Sequence, residues 1–575
     1  MNAAMFYGRK KTPARPIPDD SDDSELSSES ESEVGATVQS PELSDSGSDE
    51  DDMPLADRFA SSTWKKKPLA AVKEKCVPFS GSVFTVEDDV KLPIEYFRAI
   101  FDQALFDQIV SQSNLYAIQN NPSKPLGLTG AELEQFVGIL FMMSIVRMPR
   151  ARMYWSAGTR YEKVASVMPL RRFETVKRNI HCNDNAARKQ DCTDKLYKLR
   201  PVVESLLSKF NPITPEEKLS IDEQVVPFKG SSSIKMYNPK KPKKWGYKIY
   251  VLSGVSGMVY NFEVHTGKID ACPNQPDLQA SGNIVLRLLQ PIARNVWHKV
   301  YFDNWFTSPK LLVTLHKQGI ACLGTVRINR VPGCNMPSDA DMKKEGRGST
   351  VIQSAVIDGV ELRALKWFDN RGVVLLTSYA SGQPMSFVDR WDSKQKKKVQ
   401  VQCPSAVVMY NQFMGGADLL DSLLALYRIP VRSKKWYHRL LWHFLDLSLV
   451  QSWLLYRREA TANNVPGKEQ LSLLQFKLSV AECLLSENKT KGVKRGRPSR
   501  DMDEDHRQKA ARGPAAALPV TAVRTDGVSH WPIFGTKKGR CKLPGCKGIP
   551  KIRCEKCDVY LCFTTKCNCF KAFHQ

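Results

Sequence analysis

Three aspartates in short, strongly patterned segments constrain this 575-residue chain more than any other feature. Asp222 lies within LSIDEQVVPFKG, Asp303 follows the apolar run KVYF, and Asp418 follows Gly415-Gly416 at the start of an apolar segment. The first two segments have the pattern of strands, and residues 418–456 have the pattern of helical structure. Because the aspartates are about a hundred residues apart, only a fold can bring them together.

Three converging carboxylates form a site of hard oxygen ligands, which suits Mg²⁺ or Mn²⁺. Two ligands from strands and a third from a helix N-terminus make the ribonuclease-H-like arrangement. Two such ions side by side assist phosphoryl transfer. Asp421 shares the helix face of Asp418 at a spacing of three residues. Each aspartate also has a structural alternative, since an aspartate often caps a turn or the start of a helix.

The distribution of charge favours a nucleic-acid partner. The formal net charge is +24, but residues 19–52 carry fourteen Asp and Glu without any Lys or Arg, so the remainder carries +38. Such an excess favours polyanions through counterion release, although a generally basic surface is the alternative. The acidic stretch is rich in Ser and predicts disorder.

We expect a soluble intracellular protein, because no secretory signal opens the chain and its longest apolar run, 136–146, is too short to span a membrane.

Seven of the fifteen cysteines lie between Cys541 and Cys569. Two close pairs followed by alternating single ligands predict a cross-brace with two tetrahedral Zn²⁺ ions, whose binding would supply the folding energy of so short a segment. A bare cross-brace is also typical of protein-binding or ubiquitin-ligase fingers. The predicted ligands are Cys541, Cys546, Cys554, Cys557, Cys562, Cys569 and His574, with Cys567 as the eighth and His530 as its alternative.

The three aspartate segments resemble the motifs of the piggyBac family of DNA transposases. The similarity lies in IDE…F-[KR]-G around Asp222, Y-x-DN-[WF]-F-[TS]-S around Asp303 and Y-N-x-x-M-G-G-x-D around Asp418. The connection at 237–248 and the Gly-Thr-Val-Arg at 324–327 agree as well. Order and spacing agree over roughly residues 93–460, and the terminal module agrees too.

The resemblance implies an α/β protein with a ribonuclease-H-like catalytic core, a β-rich insertion, a flanking all-α dimerisation and DNA-binding domain, and a C-terminal cross-brace zinc finger. The insertion is expected to contain a hairpin turn at 357–360 and a basic run at 394–398. The implied boundaries are a tail at 1–79, the helical domain at 80–216 and 428–485, the core at 217–329 and 404–427, the insertion at 330–403, a basic linker at 486–535 and the finger at 536–575.

The resemblance also implies cut-and-paste transposition at TTAA sites through DNA hairpin intermediates. Asp222, Asp303 and Asp418 would hold Mg²⁺ or Mn²⁺ and Asp421 would assist. The protein would act as a homodimer on transposon terminal repeats without a nucleotide cofactor. Trp436 is a candidate for stacking on an unpaired base, with packing in a helix core as the alternative. The candidate phosphate contacts, each alternatively a solvated surface charge, are Lys240, Lys241, Lys243, Lys244, Arg432, Lys434 and Lys435.

The linker segment Lys494-Arg-Gly-Arg-Pro498 resembles an AT-hook core, in which Arg495 and Arg497 would enter the minor groove of DNA. The same residues alternatively form a nuclear-import signal, and both functions predict a nuclear protein. Two rival hypotheses remain. One is a host-domesticated descendant that binds DNA without moving it, and the other is a cross-brace interaction protein whose aspartates are structural.

Overall fold

A mixed sheet, ten-stranded among the described residues, organises the first of the two units into which the chain divides. The computed structural model describes residues 63–69, 72, 74–75, 78–82, 84, 89–239, 244–393, 395–486, 524–565 and 567–575. The acidic stretch, Lys240, Lys241, Lys243, Arg495 and Arg497 therefore lie outside the described residues. The first unit is Met1–Lys489 and the second is Thr490–Gln575.

The strands of the first unit are β1 Lys65–Lys67, β2 Lys218–Pro227, β3 Met236–Tyr237, β4 Trp245–Gly254, β5 Val259–Val264, β6 Lys299–Phe302, β7 Ala321–Thr325, β8 Thr350–Ile357, β9 Val360–Phe368, β10 Gly372–Thr377, β11 Met385–Asp392 and β12 Lys397–Pro404. The large sheet has the order β1-β8-β9-β10-β7-β6-β2-β4-β3, and β5 also pairs with β4. The strands β2, β6 and β7 are parallel neighbours, whereas the other pairs in this sheet are antiparallel. The strands β11 and β12 pair with each other as a separate ribbon.

The helices of the first unit are α1 Pro93–Ile100, α2 Gln103–Asn120, α3 Gly130–Ile145, α4 Glu162–Ala165, α5 Leu170–Asn179, α6 Arg200–Phe210, α7 Gln279–Leu288, α8 Pro309–Lys317, α9 Asp339–Glu345, α10 Ser405–Phe413, α11 Gly416–Leu426, α12 Trp436–Ala462 and α13 Leu473–Ser486. Among the described residues, no helix is both long enough and apolar enough to cross a membrane.

Local sequence explains how β6, α8 and β7 follow one another. The apolar KVYF of β6 is buried apart from Lys299. The hydroxyl of Ser308 then accepts a hydrogen bond from the Leu311 amide and caps α8, which begins with Pro309. The helix α8 packs on β7, and β7 lies parallel to β6. This β-α-β connection leaves Asp303 at the carboxyl end of β6.

Two layers cover the sheet. Apolar residues of α3, α12 and α13 share one buried core with β2, β4, β5 and β6. Gln451 of α12 joins this helical layer to the sheet, since its side chain accepts from the Val259 amide at 2.7 Å. A second buried cluster contains residues of β7, β9, β10, β12 and α10. The ribbon and α10 thus pack against sheet residues that are separate from the main core.

The helical segment expected at 418–456 is interrupted between α11 and α12. Asp446 explains the interruption, because its carboxylate accepts from the Ile429 amide at 2.9 Å and from the Lys477 ammonium at 3.0 Å. Both charged side chains of this pair are buried. Chain direction therefore changes at residues 427–435, where the backbone bonds to a side chain of α12 instead of continuing the helix.

The described part of the second unit is small and contains β13 Pro532–Phe534, β14 Ile552–Cys554, β15 Phe563–Thr564, β16 Cys567–Asn568 and α14 Cys569–His574. The strands pair as two short ladders, β13 with β14 and β15 with β16. Its apolar core consists largely of cysteines with Val559, Leu561, Phe570 and Phe573. So few apolar side chains indicate that this unit needs another source of stability.

Candidate active site and zinc module

Asp222 and Asp303 lie side by side on neighbouring parallel strands. Ile221 of β2 is in register with Phe302 of β6, so the two aspartates are the next residues along each strand. Adjacent strands are about 4.8 Å apart. The Asp303 carboxylate accepts from the Trp305 amide at 2.9 Å, and the Asp222 carboxylate accepts from the Glu223 amide at 2.7 Å. The sheet therefore presents two carboxylates at the edge where β6 ends.

The N-terminal turn of α11 packs directly on the same strands. A Cβ added to Gly416 would lie 2.4 Å from the carbonyl oxygen of Gly254 and 2.7 Å from the hydroxyl oxygen of Ser220. Only glycine permits this approach of the helix to β2 and β4. Asp421 is joined to β2, because the amide of Gln224 donates to its carboxylate at 2.6 Å. These contacts fix the start of α11 over the strand that carries Asp222.

Asp418 is the third residue of α11 and its side chain is exposed. Gly415 occupies the N-cap position. Asp418 therefore does not occupy the N-cap position that its structural alternative requires. The positive end of the helix dipole stabilises a carboxylate in this turn.

Tyr410 of α10 lies near all three aspartates. Burial raises the pKa of Tyr410 to about 12, and the charges of Asp303, Asp222 and Asp418 each raise it further. Its hydroxyl lies 3.4 Å from that of Thr325, the last residue of β7. Carboxylates from β2, β6 and α11 thus all lie near one phenol.

Burial also raises the pKa of Asp303, and the nearby Glu223 raises it further. The amide of Trp305 and the ammonium of Lys248 oppose this effect. Lys248 forms an ion pair with Glu223 at 2.5 Å and lies over the rings of Tyr250 and Trp305. The Asp303 carboxylate therefore carries a desolvation cost that a bound cation would relieve.

The three carboxylates do not close on one point. The described residues contain two groups of potential metal ligands whose atoms all lie within 4.8 Å of one another. Both groups belong to the second unit. A site for two ions does not require mutual contact of its ligands, because the ions themselves lie about 3.5–4 Å apart. Carboxylates from different elements, with one buried and desolvated, fit a pair of hard divalent cations.

The predicted DNA-binding residues fall into different environments. Trp436 is half-buried and packs against Tyr247 and Tyr437, as the helix-core alternative requires. The Lys435 ammonium donates to the Tyr116 hydroxyl at 2.8 Å and to the Arg178 carbonyl at 2.9 Å, so it joins α12 to the other helices. Lys244, Arg432 and Lys434 are exposed at the surface.

An exposed aromatic pair was missed by the sequence analysis. The rings of Tyr237 and Trp245 lie 4.8 Å apart, and the Lys235 ammonium lies 4.7 Å from the Trp245 ring. Trp245 is 47% exposed. These residues pair β3 with β4, and β4 is the direct neighbour of β2. The sequence feature that could have identified this pair is the position of Trp245 directly after a lysine run, but the sequence alone did not reveal that the Trp245 ring is exposed.

The first ligand group of the second unit is His530, Cys554, Cys557 and His574. His530 Nδ1 lies 3.4 Å from Cys554 Sγ and 3.5 Å from Cys557 Sγ, while its Nε2 donates to Asp526 at 2.9 Å. His574 Nδ1 donates to the Phe570 carbonyl at 2.8 Å, and its Nε2 is buried without a hydrogen-bond partner among the described residues. Each imidazole thus turns its lone pair toward the two sulfurs, as a zinc site requires.

The second group is Cys541, Cys546, Cys562 and Cys569. Cys546 Sγ lies 3.6 Å from Cys569 Sγ and 3.8 Å from Cys562 Sγ, and the Gly548 amide points at Cys546 Sγ from 3.4 Å. Along the chain, the members of the two groups alternate, which is the cross-brace arrangement. Four sulfurs in one group and two sulfurs with two imidazoles in the other fit tetrahedral Zn²⁺.

Of the two candidates for the eighth ligand, Cys567 and His530, this geometry favours His530. Cys567 belongs to neither group and is exposed, although its Sγ lies 3.2 Å from Cys569 Sγ. His530, the alternative, completes the first group. Cys567 lies in β16, whereas His530 precedes β13, which pairs with the strand ending in Cys554.

Comparison with known proteins assigns a class to this fold and site. Residues 92–453, which include all three aspartates, match the family model described as Transposase IS4. The first unit is therefore that of a DNA transposase.

Comparison with individual relatives shows that the chain belongs to the piggyBac family. This membership confirms the resemblance that its motifs indicated. The chain is 32% identical over 511 residues to human PiggyBac transposable element-derived protein 3, covering 87% of this chain and 79% of that protein. It is 28% identical over 556 residues to human PiggyBac transposable element-derived protein 2, covering 93% and 86%. Its fold matches the cryo-EM structure of a piggyBac transposase synaptic complex with hairpin DNA, with a TM-score of 0.59, 20% identity, and coverage of 83% of this chain and 98% of that chain.

Proposed function

We propose that this protein is a cut-and-paste DNA transposase that acts at TTAA sites through DNA hairpin intermediates. The observation that carries the proposal is the placement of Asp222, Asp303 and Asp418 on elements that pack directly against one another. The first two come from adjacent parallel strands and the third from a helix packed on them. This arrangement supports a ribonuclease-H-like core at 217–329 and 404–427, with 330–403 as its insertion and the helices at 80–216 and 428–485 as a dimerisation and DNA-binding domain.

Asp222, Asp303 and Asp418 would hold Mg²⁺ or Mn²⁺. When bound, two such ions supply activation of an attacking oxygen and stabilisation of a leaving oxygen at phosphorus. The residues of the chain keep the carboxylates in place: Gln224 holds Asp421, and the Trp305 amide holds Asp303. Lys248, already paired with Glu223, keeps positive charge beside Asp303.

DNA would contact the edge of the sheet on which these carboxylates lie. Lys244, Arg432 and Lys434 are exposed and available for phosphates. The exposed rings of Tyr237 and Trp245 suit contact with bases better than Trp436, whose ring is half-buried. The second unit would hold two Zn²⁺ ions and recognise terminal repeats, with the basic residues Lys537, Lys538, Arg540, Lys542, Lys547 and Lys551 as its candidate phosphate contacts. We also propose that the protein acts in the nucleus and as a homodimer.

The test is strand cleavage by the purified protein. Plasmid carrying the element's own ends is incubated with Mg²⁺, and hairpin-ended fragments are sought on a denaturing gel. The proposal expects such fragments from the wild-type protein and none from Asp303→Ala, which should still bind the ends. Absence of cleavage by wild-type protein that binds the ends would contradict the proposal.

A second candidate function is that of a domesticated, catalytically silent DNA-binding protein. It is favoured by the names of both human relatives, which describe proteins derived from a transposable element. The placement of all three aspartates on adjacent strands and on the helix packed against them favours the enzyme instead. In the cleavage assay, binding of the ends without any cutting is the expected result for this second function.

A further inference from the structure

The ribbon formed by β11 and β12 has one face that the rest of the first unit does not cover. The two strands pair over eight residues each, from Met385 with Pro404 to Asp392 with Lys397. Side chains alternate between the two faces of such a ribbon. Phe387 is 67% exposed and Trp391 is 61% exposed, although both are large and aromatic. We call the face that carries Phe387 and Trp391 the outer face of the ribbon.

The inner face of the ribbon is firmly attached. Val388, Val399 and Val401 pack in the second buried cluster. The indole of Trp367 donates to the Gln402 carbonyl at 2.8 Å, and Arg390 forms an ion pair with Asp369 at 3.2 Å. The exposed rings therefore lie on an anchored surface and do not result from a loose hairpin.

The composition of the outer face identifies a class of partner. Lys398 is directly opposite Trp391 across the ribbon, Lys397 is opposite Asp392, and Lys396 lies in the turn between the two strands. Asp389, exposed between the two rings, accepts a hydrogen bond from the side-chain amide of Gln400 opposite it. All three lysines are exposed. Protein interfaces are depleted in lysine, whereas rings that stack on bases beside lysines that hold phosphates are typical of single-strand nucleic-acid binding.

The ribbon also lies at the edge of the sheet that carries the catalytic candidates. The strand β9 runs in the direction of β6, because β7 is parallel to β6 and the pairs of β10 with β7 and with β9 are both antiparallel. The carboxyl end of β9 is therefore at the same edge as Asp303. Trp367 and Asp369, which hold the ribbon, are at that end of β9.

We infer that the outer face of the ribbon binds a DNA strand with unpaired bases, which stack on Phe387 and Trp391 while Lys396, Lys397 and Lys398 contact its phosphates. The two rings are four residues apart, or about 13 Å along a strand. This distance equals the rise of about four stacked nucleotides. The inference rests on the proposed function, since DNA opened during hairpin formation would supply such a strand.

The experiment is photo-crosslinking of the full-length protein to a 12-nucleotide single strand that contains 5-iododeoxyuridine, followed by identification of the linked peptide. The expected result is a crosslink at Phe387 or Trp391. The double variant Phe387→Ser/Trp391→Ser should lose this crosslink and weaken single-strand binding at least about tenfold. Phe387→Tyr/Trp391→Phe, which keeps the rings, should restore both. Replacing Lys396, Lys397 and Lys398 by Gln should lower the salt dependence of binding by about two units of log–log slope.

Two control variants change exposed residues elsewhere on the first unit. Val356→Ser alters a side chain that is 67% exposed, next to the β8–β9 turn at the opposite edge of the sheet. A charge-matched triple variant replaces the exposed lysines Lys268, Lys317 and Lys468 by Gln. Both controls should keep the crosslink to the ribbon.

Three outcomes would overturn the inference: crosslinks only outside the ribbon, equal crosslinking of the same sequence as a duplex, or ribbon variants that alter only self-association in sedimentation. The last outcome would make the face a contact between copies of the chain. Cleavage is not measured, so a protein that never cuts can still show the crosslink. Unchanged crosslinks in the ribbon variants would likewise overturn this inference and would leave the proposed function untouched.

Discussion

At the scale of single residues, Asp303 is a catalytic candidate whose burial lowers the stability of the fold. A carboxyl whose pKa is raised on folding stabilises the protein only while it is protonated, so this contribution is lost as the pH rises through the folded pKa. Near neutral pH the ionised Asp303 therefore lowers the free energy of unfolding. Such costs are common at active sites.

Asp303→Asn should consequently raise the free energy of unfolding of the metal-free protein by about 1 kcal/mol at pH 7. Mg²⁺ or Mn²⁺ should stabilise the wild-type protein and not the variant, because a ligand that binds only the folded state shifts unfolding by mass action. Differential scanning calorimetry with and without Mg²⁺ measures both effects. The control is Asp358→Asn in the exposed β8–β9 turn, and equal Mg²⁺ shifts in both variants would argue against a metal site at Asp303.

Buried histidines predict sensitivity to acid. Burial, assisted by Lys435, lowers the pKa of His438 to about 3, and burial lowers the pKa of His443 far below its usual value. The unfolded chain, with a histidine pKa near 6.5, takes up these protons first. Stability is thus fully present above about pH 6.5 and is lost as the pH falls below it, by about 1 kcal/mol per pH unit for each residue.

Urea unfolding at pH 7.5, 6.5 and 5.5 tests this expectation. His438→Gln, which cannot take up the proton, should be less stable than the wild type at pH 7.5 but should lose less stability between pH 6.5 and 5.5. An identical loss in both proteins would mean that other groups govern the acid response. The His438 imidazole donates to the Ile180 carbonyl at 3.1 Å, which accounts for the lower stability of the variant at neutral pH.

At the scale of elements, the start of α11 depends on a glycine. Gly416→Ala would place a methyl group 2.4 Å from the Gly254 carbonyl oxygen, so α11 must shift away from β2 and β4. We expect a loss of about 1–3 kcal/mol in stability, typical of overpacking, and a larger loss of cleavage because Asp418 moves with the helix. Gly415→Ala is the matched control, since a Cβ there meets nothing within 4 Å. Equal cleavage by the two variants would show that the close approach of α11 is not required.

Sequence alone located much of this site. The strand Lys299–Phe302, which leads into Asp303, follows from a local pattern because its determinants are near neighbours in the chain. The parallel register of Ile221 with Phe302 does not, since it joins residues about eighty positions apart. The interruption before α12 depends on the buried Asp446, whose partners Ile429 and Lys477 lie on either side of it in the chain.

Exposure was the other quantity that sequence did not supply. Trp436 and Trp245 both follow lysines, yet one packs against Tyr247 and the other is 47% exposed. Spacing among the cysteines likewise did not decide between Cys567 and His530, which is remote from the cysteine run. The pairing of β13 with β14 brings His530 to Cys554, and no local pattern encodes that pairing.

At the scale of the whole molecule, the two units draw on different sources of stability. The first has an extensive apolar core shared by its helices and sheet. The described part of the second has a small core made largely of cysteines, so its fold should depend on bound metal. Removing zinc should therefore unfold the second unit and leave the main thermal transition of the first unit in place.

Measuring the zinc content of purified variants tests the assignment of zinc ligands in the second unit. Wild-type protein should contain two zinc ions per chain, and His530→Ala should contain one, because its Nδ1 is directed at Cys554 and Cys557. Cys567→Ser should retain both, since Cys567 lies outside the two ligand groups. A chelator should abolish protease resistance of the second unit in the wild type while the first unit resists digestion as before. The assignment would fail if Cys567→Ser lost an ion and His530→Ala kept both, because the exposed thiol beside Cys569 would then be the better ligand.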